Sequence, residues 1–413
     1  MTQSPQKRVR LAYLVSHPIQ YQAPLLRRIA REPDIDLTVL FGSDFSVRSY
    51  KDQGFGVDVQ WDTPLLDGYK HEFLPTLRDT GTVSSTSPIS RGLYPRLRGS
   101  GATPAFDALW VHGYASVNAL QGILLANALG IPVLMRAESW LADRPRSAWK
   151  LALKKLFLRT LRHGLAATLP IGLVNREYWQ HYFGPEFPQF LMPYAVDNGY
   201  FAARAAASHS PREELGLDPE RPVILFASKL QERKRAIDLV RAYETLLPRL
   251  HGPAPYLVIV GDGEEREALD AYIRDHNLAG VRLTGFRNQS ELPGFFAMSD
   301  VFVLPSRHEP WGLIVNEAMA AGCAVIVSSD VGSGFDLVTP GVEGQIVPVE
   351  DVPALANELF NVLDEPGKAN RMGQSAVERI NAWSFEQDVL GLREALAFST
   401  RKIALSPQEK QPS

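Results

Sequence analysis

The sequence predicts an α/β protein built from two doubly wound, Rossmann-like domains facing a central cleft. Three observations carry this expectation. The chain has 413 residues, too many for one ordinary domain and comfortable for two. Apolar, β-branched runs bounded by turn residues recur along its length, most of them separated by segments of helical period. The runs are continuously apolar rather than alternating, which marks parallel strands covered on both faces.

Taken in order, the first strand series comprises 9–16, 36–41, 108–112, 132–136, 167–171 and 190–193. Residues 108–135 hold no charge, but His112, Asn118, Gln121 and the Gly130-Ile131-Pro132 break make this stretch strand, helix, strand rather than a membrane span. Residues 149–163 read as a basic amphipathic helix. Lys150, Lys154, Lys155, Arg159 and Arg162 form one side, and Trp149, Leu153, Leu156 and Phe157 the other, a pattern that suits either anionic lipid or a domain surface. Residues 78–104, rich in Gly, Ser, Thr and Pro, are expected to be a lid or disordered. The small-residue stretch 202–211 reads as the interdomain linker. The second strand series follows at 222–228, 256–261, 281–285, 301–305, 324–328 and 345–349. The expected domains are therefore 1–200 and 212–395, with a polar tail at 396–413.

Composition narrows the class. A hydrophobic content of 45% and a charged content of 22% are those of a globular protein with full cores. The net charge of −3 argues against nucleic acid as the main partner. Residues 1–200 carry 22 Lys and Arg against 16 Asp and Glu, a balance of +6, and the rest carry 21 against 30, a balance of −9. A basic first half favours an anionic acceptor or membrane surface. Cys323 is the only cysteine, so no intrachain disulfide forms, which fits a cytoplasmic location. The apolar run 11–15 is too short for a signal peptide.

The densest chemistry lies at 309–317, where Glu309 and Glu317 flank a Pro310-Trp311-Gly312 turn between a strand and a small-residue helix. Strand, turn and helix N-terminus present backbone N–H groups and the positive helix end to one point, as an anion site requires. Carboxylates on either side suit sugar hydroxyls, so the pattern points to a phosphorylated sugar. Lys229 and Lys234, just past a strand end, supply cations for a diphosphate. The pair Asp34-Ile35-Asp36 enters a strand rather than leaving one and reads as a solvated turn. No His/Cys cluster has zinc spacing, so no metal is expected.

Five motifs in order give the second half a family likeness. They are Ala227-Ser228-Lys229-Leu230-Gln231-Glu232-Arg233-Lys234; Val260-Gly261-Asp262-Gly263; Gly285-Phe286; Pro305-Ser306 through Gly322; and Gly341-Val342-Glu343-Gly344. Together they resemble the nucleotide-sugar-dependent glycosyltransferases of family 4, which have the GT-B fold and act with retention. His112-Gly113 and Pro193-Tyr194-Ala195-Val196-Asp197 extend the likeness loosely into the first half. Lys229 stands where the family has Arg, and Cys323 where it has Pro. His17-Pro18-Ile19-Gln20-Tyr21-Gln22 replaces its N-terminal Gly-rich loop.

The resemblance implies a metal-independent hexosyl-type transferase without a separate cofactor, taking a UDP-sugar first and a GDP-sugar next. The acceptor is a hydroxyl, on a saccharide, lipid-linked saccharide or other glycoconjugate. Lys229, Lys234, Glu309 and His112 are its implied catalytic set. Glu317, Trp311, Gly312, Leu313, Gly261, Gly263, Phe286 and Arg287 would hold the donor, and His17 and Glu138 the acceptor. The site is expected in the cytoplasm, with possible peripheral contact at the inner membrane face through 149–163. A nucleotide-sugar epimerase or hydrolase on the same fold, and a degenerate sugar-nucleotide binding protein, are the competing readings. A dehydrogenase would need a Gly-x-Gly-x-x-Gly turn after its first strand, and residues 9–22 offer none.

Overall fold

The computed structural model of the protein describes residues 8–52, 54–141, 147–207 and 210–402. They form two compact units. Of the described residues, those within 8–50, 63–194 and 385–402 make up the first and those within 51–62 and 195–384 the second.

The first unit opens with β1 (Val9–Val15), α1 (Ala23–Ala30) and β2 (Ile35–Phe41). A ribbon of β3 (Tyr50–Lys51) and β4 (Asp58–Val59) leads into the second unit, and the chain returns for β5 (Lys70–Phe73). The hairpin β6 (Thr76–Arg78)/β7 (Ile89–Ser90) and α2 (Leu93–Arg98) follow. Next come β8 (Ala108–His112), α3 (Val117–Ala128), β9 (Val133–Arg136), α4 (Ala148–Arg162), β10 (Ala167–Thr168) and α5 (Leu173–Phe183). The sheet order is β10-β9-β8-β1-β2-β5, every pairing parallel.

The second unit holds α6 (Asn198–Ala207), β11 (Val223–Ala227), α7 (Ala236–Leu246), β12 (Tyr256–Val260), α8 (Arg266–Asp275), β13 (Val281–Gly285) and α9 (Leu292–Ala297). It continues with β14 (Val301–Leu304), α10 (Leu313–Ala320), β15 (Ala324–Ser328), α11 (Gly334–Leu337), β16 (Gly344–Val347), α12 (Val352–Leu363) and α13 (Lys368–Asn381). Its order, β13-β12-β11-β14-β15-β16, is again all parallel. The chain then closes the first unit with α14 (Phe385–Thr400).

Both sheets therefore wind outward in two directions from their first strand. The winding reverses between β1 and β8 in one unit and between β11 and β14 in the other. In such sheets ligands bind beyond the carboxyl ends of the strands at this reversal. The central strands β11, β12 and β15 are buried along their whole length, as their unbroken apolar sequences require.

Five expectations need correction. Residues 198–207 are not a linker but α6, whose Phe201 is buried against Phe296 of the second unit. Residues 208–209 lie outside the described residues. The stretch 78–104 contains a hairpin strand and a helix, with Ser87, Ser90, Leu93 and Leu97 buried. Helix α14, expected with residues 212–395, belongs to the first unit, where Asp388 pairs with Arg136 at 2.9 Å and both are buried. The supposed solvated turn at Asp34 is clamped by Arg393 at 2.9 Å. Residues 190–193 form no strand; Phe190 N–H instead donates to Thr168 O at 3.1 Å along the end of β10.

Helix α4 carries two apolar stripes. Leu158 and Leu161 are buried, whereas Trp149, Leu153, Leu156 and Phe157 stand out from the surface, Trp149 and Leu156 more than 60% exposed. Among the described residues no helix is long and apolar enough to cross a membrane.

Candidate functional site

In the second unit, the turn after β11 carries Lys229 and Lys234, and the turn after β14 carries Glu309, so the winding reversal brings them to one place. Lys234 ends a single 3₁₀ turn (Glu232–Lys234) and is buried. Its ammonium bonds directly to the Glu309 carboxylate, and Arg233 reaches the same oxygen at 3.4 Å. Burial pulls the Lys234 pKa down, and the Glu309 charge opposes that pull. Glu309 is fixed from the main chain too: its N–H donates to Asp330 O at 3.0 Å and its carbonyl accepts from Gly332 N–H at 2.9 Å.

The following turn is held by side-chain packing. Trp311 is buried, donates its indole N–H to Asn316 Oδ1 at 3.0 Å and stacks on Trp383 at 5.6 Å. Gly312 has φ +88°, and a Cβ there would sit 3.0 Å from Leu304, so both backbone and space demand glycine. Leu313 starts α10, whose first N–H groups have no intrahelical partner. One turn further in, Glu317 is buried. It accepts one bond, from Gln289 Nε2 at 3.1 Å, and its second oxygen has no partner. Burial pushes its carboxyl up to about 7, only partly offset by Gln289.

The remaining donor candidates divide. Gly261 and Gly263 both have positive φ; a Cβ on Gly261 would meet Ser228 O at 1.9 Å. Phe286 meets Phe55 edge-on at 4.8 Å. Arg287 is already engaged, donating to Glu291 and Glu214 at 3.1 Å each. It thus ties its loop to Glu214 ahead of β11, while its Nε is buried without a partner.

In the first unit, His17 follows β1, His112 ends β8 and Glu138 follows β9, at the carboxyl ends of adjacent strands. Gln22 lies between the first two strands: it accepts from Tyr13 at 2.6 Å and contacts His112 Nδ1 at 3.2 Å. Burial, then the Arg136 and His17 charges, push His112 down to about 3, and burial pushes His17 to about 4. Both rings are neutral at physiological pH and serve as hydrogen-bonding groups, not cations. Glu138 accepts from Tyr21 at 3.0 Å and from Tyr194. A cavity of about 220 Å³ lies beside this group, lined by Ser16, Ser84, Ser85, His112, Ser116 and Asn118.

Sequence reasoning missed Arg233, Gln22, Gln289, Tyr21 and Phe55 as neighbours of these groups. Only Gln22 and Tyr21 gave a signal, since the segment 17–22 stands where a Gly-rich loop belongs. Among the described residues no group of three His, Cys, Asp or Glu could hold a metal ion.

Comparison with known proteins adds to this geometry. Residues 209–379 match the family described as "Glycosyl transferases group 1". Glycogen synthase of Mycobacterium tuberculosis is 30% identical over 234 residues, 56% of this chain and 53% of that protein. The GDP-mannose-dependent alpha-(1-6)-phosphatidylinositol monomannoside mannosyltransferase of Mycolicibacterium smegmatis is 32% identical over 49% of this chain and 54% of its own length. The chain thus spans about half the length of these relatives. Alpha-D-kanosaminyltransferase of Streptomyces kanamyceticus is 26% identical over 61% of this chain and 67% of that protein. Among solved structures, sucrose-phosphate synthase from Thermosynechococcus elongatus superposes with a TM-score of 0.66 at 21% identity, covering 94% of this chain and 98% of that one. Anabaena HepE in complex with UDP gives 0.70 at 16% identity, covering 94% and 99%. The fold is GT-B, two parallel-sheet α/β domains.

Proposed function

We propose, from a second unit that belongs to the group 1 glycosyl transferases, that this chain is a retaining glycosyltransferase independent of metal and of any separate cofactor. It moves a hexosyl group from a nucleotide-diphosphate sugar to a hydroxyl acceptor, in polysaccharide, lipid-linked oligosaccharide or other glycoconjugate synthesis. The observation that carries this is the Lys234–Glu309–Arg233 cluster, its lysine buried, at the sheet's winding reversal beside the N-terminus of α10.

The chemistry follows from the charges. Breaking the bond between the anomeric carbon and the phosphate oxygen builds negative charge on the diphosphate and positive charge on the sugar ring. Lys229, Lys234 and the α10 N–H groups meet the first. Gly261 and Gly263 let the backbone approach the phosphates. Glu309 holds sugar hydroxyls close to the developing positive charge, while the leaving phosphate takes the acceptor proton on the same face. Glu317, with one unpartnered oxygen, accepts ribose hydroxyls, and the 285–289 loop with Phe286 holds the base. A UDP-sugar is the first choice and a GDP-sugar the second; the UDP complex of the fold neighbour and the GDP-mannose dependence of a relative support these two.

His17, His112 and Glu138 form the acceptor side, beside a mostly apolar cavity whose hydroxyls come from Ser16, Ser84, Ser85 and Ser116. The chain works in the cytoplasm at an anionic membrane surface. The outward stripe of α4 supports this, since Lys150 and Arg159 border Trp149, Leu153 and Leu156 on the helix.

The first test is a thermal-shift panel of UDP, GDP, ADP, CMP and dTDP and their sugars, with Glu317→Ala alongside. One nucleotide is expected to stabilise the wild type by about 2.7 kcal/mol at a hundredfold excess over Kd, and the variant less. No shift from any nucleotide sinks the reading. For the surface, cosedimentation with phosphatidylglycerol vesicles should be lost when Trp149, Leu153 and Leu156 are all changed to Ser.

A further inference from the structure

Residues 51–52 and 54–62 come early in the chain yet belong to the second unit, where they meet Lys229, Gly263 and Phe286 in the turns after β11, β12 and β13. The Asp52 carboxylate, 13% exposed, accepts two bonds from Lys229 Nζ, at 2.7 and 2.9 Å. The Phe55 ring lies 4.7 Å from the same ammonium and touches Phe286. The fit is close: a Cβ on Gly54 would fall 2.5 Å from Lys229 Cδ, and one on Gly263 would fall 3.0 Å from Gly54 O. Further along, Asn288 donates to Gln60 O at 2.7 Å and Ser290 bonds to Asp62. The segment is thus tied to both the diphosphate side and the base side of the donor site.

We propose that residues 51–62 are a displaceable strap on that site, in which the Asp52 carboxylate stands where a donor phosphate meets Lys229. This rests on the donor-site reading given above. An ammonium has three donors, and Asp52 holds two. A diphosphate oxygen brought to the same ammonium would lie a few ångströms from the carboxylate, where like charges repel strongly at reduced dielectric. Phosphate and Asp52 therefore exclude one another.

Two properties follow. The empty site keeps Lys229 ordered and charge-balanced. A ligand with phosphates must also displace Asp52 from Lys229 before it binds, so its apparent affinity falls by the fraction of open molecules. Only a ligand with phosphates can take over Lys229. The Asp52 contact accordingly lowers affinity for nucleoside diphosphates and leaves that for nucleosides of the same base unchanged.

The test is titration calorimetry on the full chain with UDP, GDP, ADP and dTDP and with the matching nucleosides. It compares wild type, Asp52→Ala and the near-isosteric Asp52→Asn. The diphosphate that binds wild type should bind both variants at least about tenfold tighter, with the nucleoside unchanged. Hydrogen exchange of residues 51–62 in the wild type should rise when that diphosphate is added. Binding by the variants alone is the same result in its extreme form. Equal or weaker diphosphate binding by folded variants overturns the strap and leaves the donor site standing. Binding of no diphosphate by any of the three proteins removes the donor reading and the strap with it.

Discussion

At the scale of single residues, the site depends on buried charges that balance each other. Lys234 is held by Glu309 against a burial penalty, so removing it leaves the carboxylate with Arg233 alone. Lys234→Ala is expected to lower kcat for transfer by about 10²–10³-fold, the usual cost of losing one preorganised donor to developing charge. A larger effect on KM than on kcat would make Lys234 a binding residue only. Glu317 supplies a pH signature. Its folded-state pKa, about 7, lies above its ordinary value of 4.5. The stability that the protonated form provides is therefore complete below about 4.5 and lost as pH rises through 7. In the role proposed for it Glu317 binds ribose as the carboxylate, so affinity follows the opposite course: nucleotide affinity should rise from pH 6 to 8, and Glu317→Gln should flatten the profile. Affinity is the better readout here, because burial also lifts Asp388 to about 7 and adds its own slope to any melting curve. Glu309 and Glu317 were legible in the sequence because they share one short strand–turn–helix. Arg233 was not, since its contact with Glu309 spans 76 positions and depends on β11 lying beside β14. Gln289 and Asp52 were hidden for the same reason.

At the scale of elements, what the sequence revealed tracks burial. The central strands announce themselves because both of their faces are covered and every position is apolar. Strand β5, Lys-His-Glu-Phe at the sheet edge, has no fully buried residue and therefore no pattern to read. Helix α6 looked like a linker because alanine is both small and the best helix former, and only Phe201 marks its packed face. Helix α14 was placed with the wrong unit because its docking depends on a buried ion pair rather than on apolar periodicity alone. That pair is the element's main test. Asp388→Ala leaves the Arg136 guanidinium buried without its counter-charge and should cost about 3–5 kcal/mol by urea denaturation. Asp388→Asn, which keeps a hydrogen-bond acceptor, should cost less. A loss under 1 kcal/mol in both variants would mean that Arg136 is satisfied by its other bonds, to Met192 O and Pro193 O.

At the scale of the whole molecule, neither unit is a continuous stretch of chain. The first lends 51–62 to the second and regains 385–402 after the second is complete. A chain ending at Ser384 should therefore keep nucleotide binding, since the donor residues all precede that point, but lose transfer as the first unit loses α14. Retained transfer would show that α14 is dispensable. The same feature sets an order of events during synthesis. Arg136 leaves the ribosome 252 residues ahead of the Asp388 that neutralises it, a delay of roughly 10–50 s at ordinary elongation rates. The unit that is translated first is thus finished last. For that interval its nascent sheet carries, at a position destined for burial, a cation that still lacks its counter-charge.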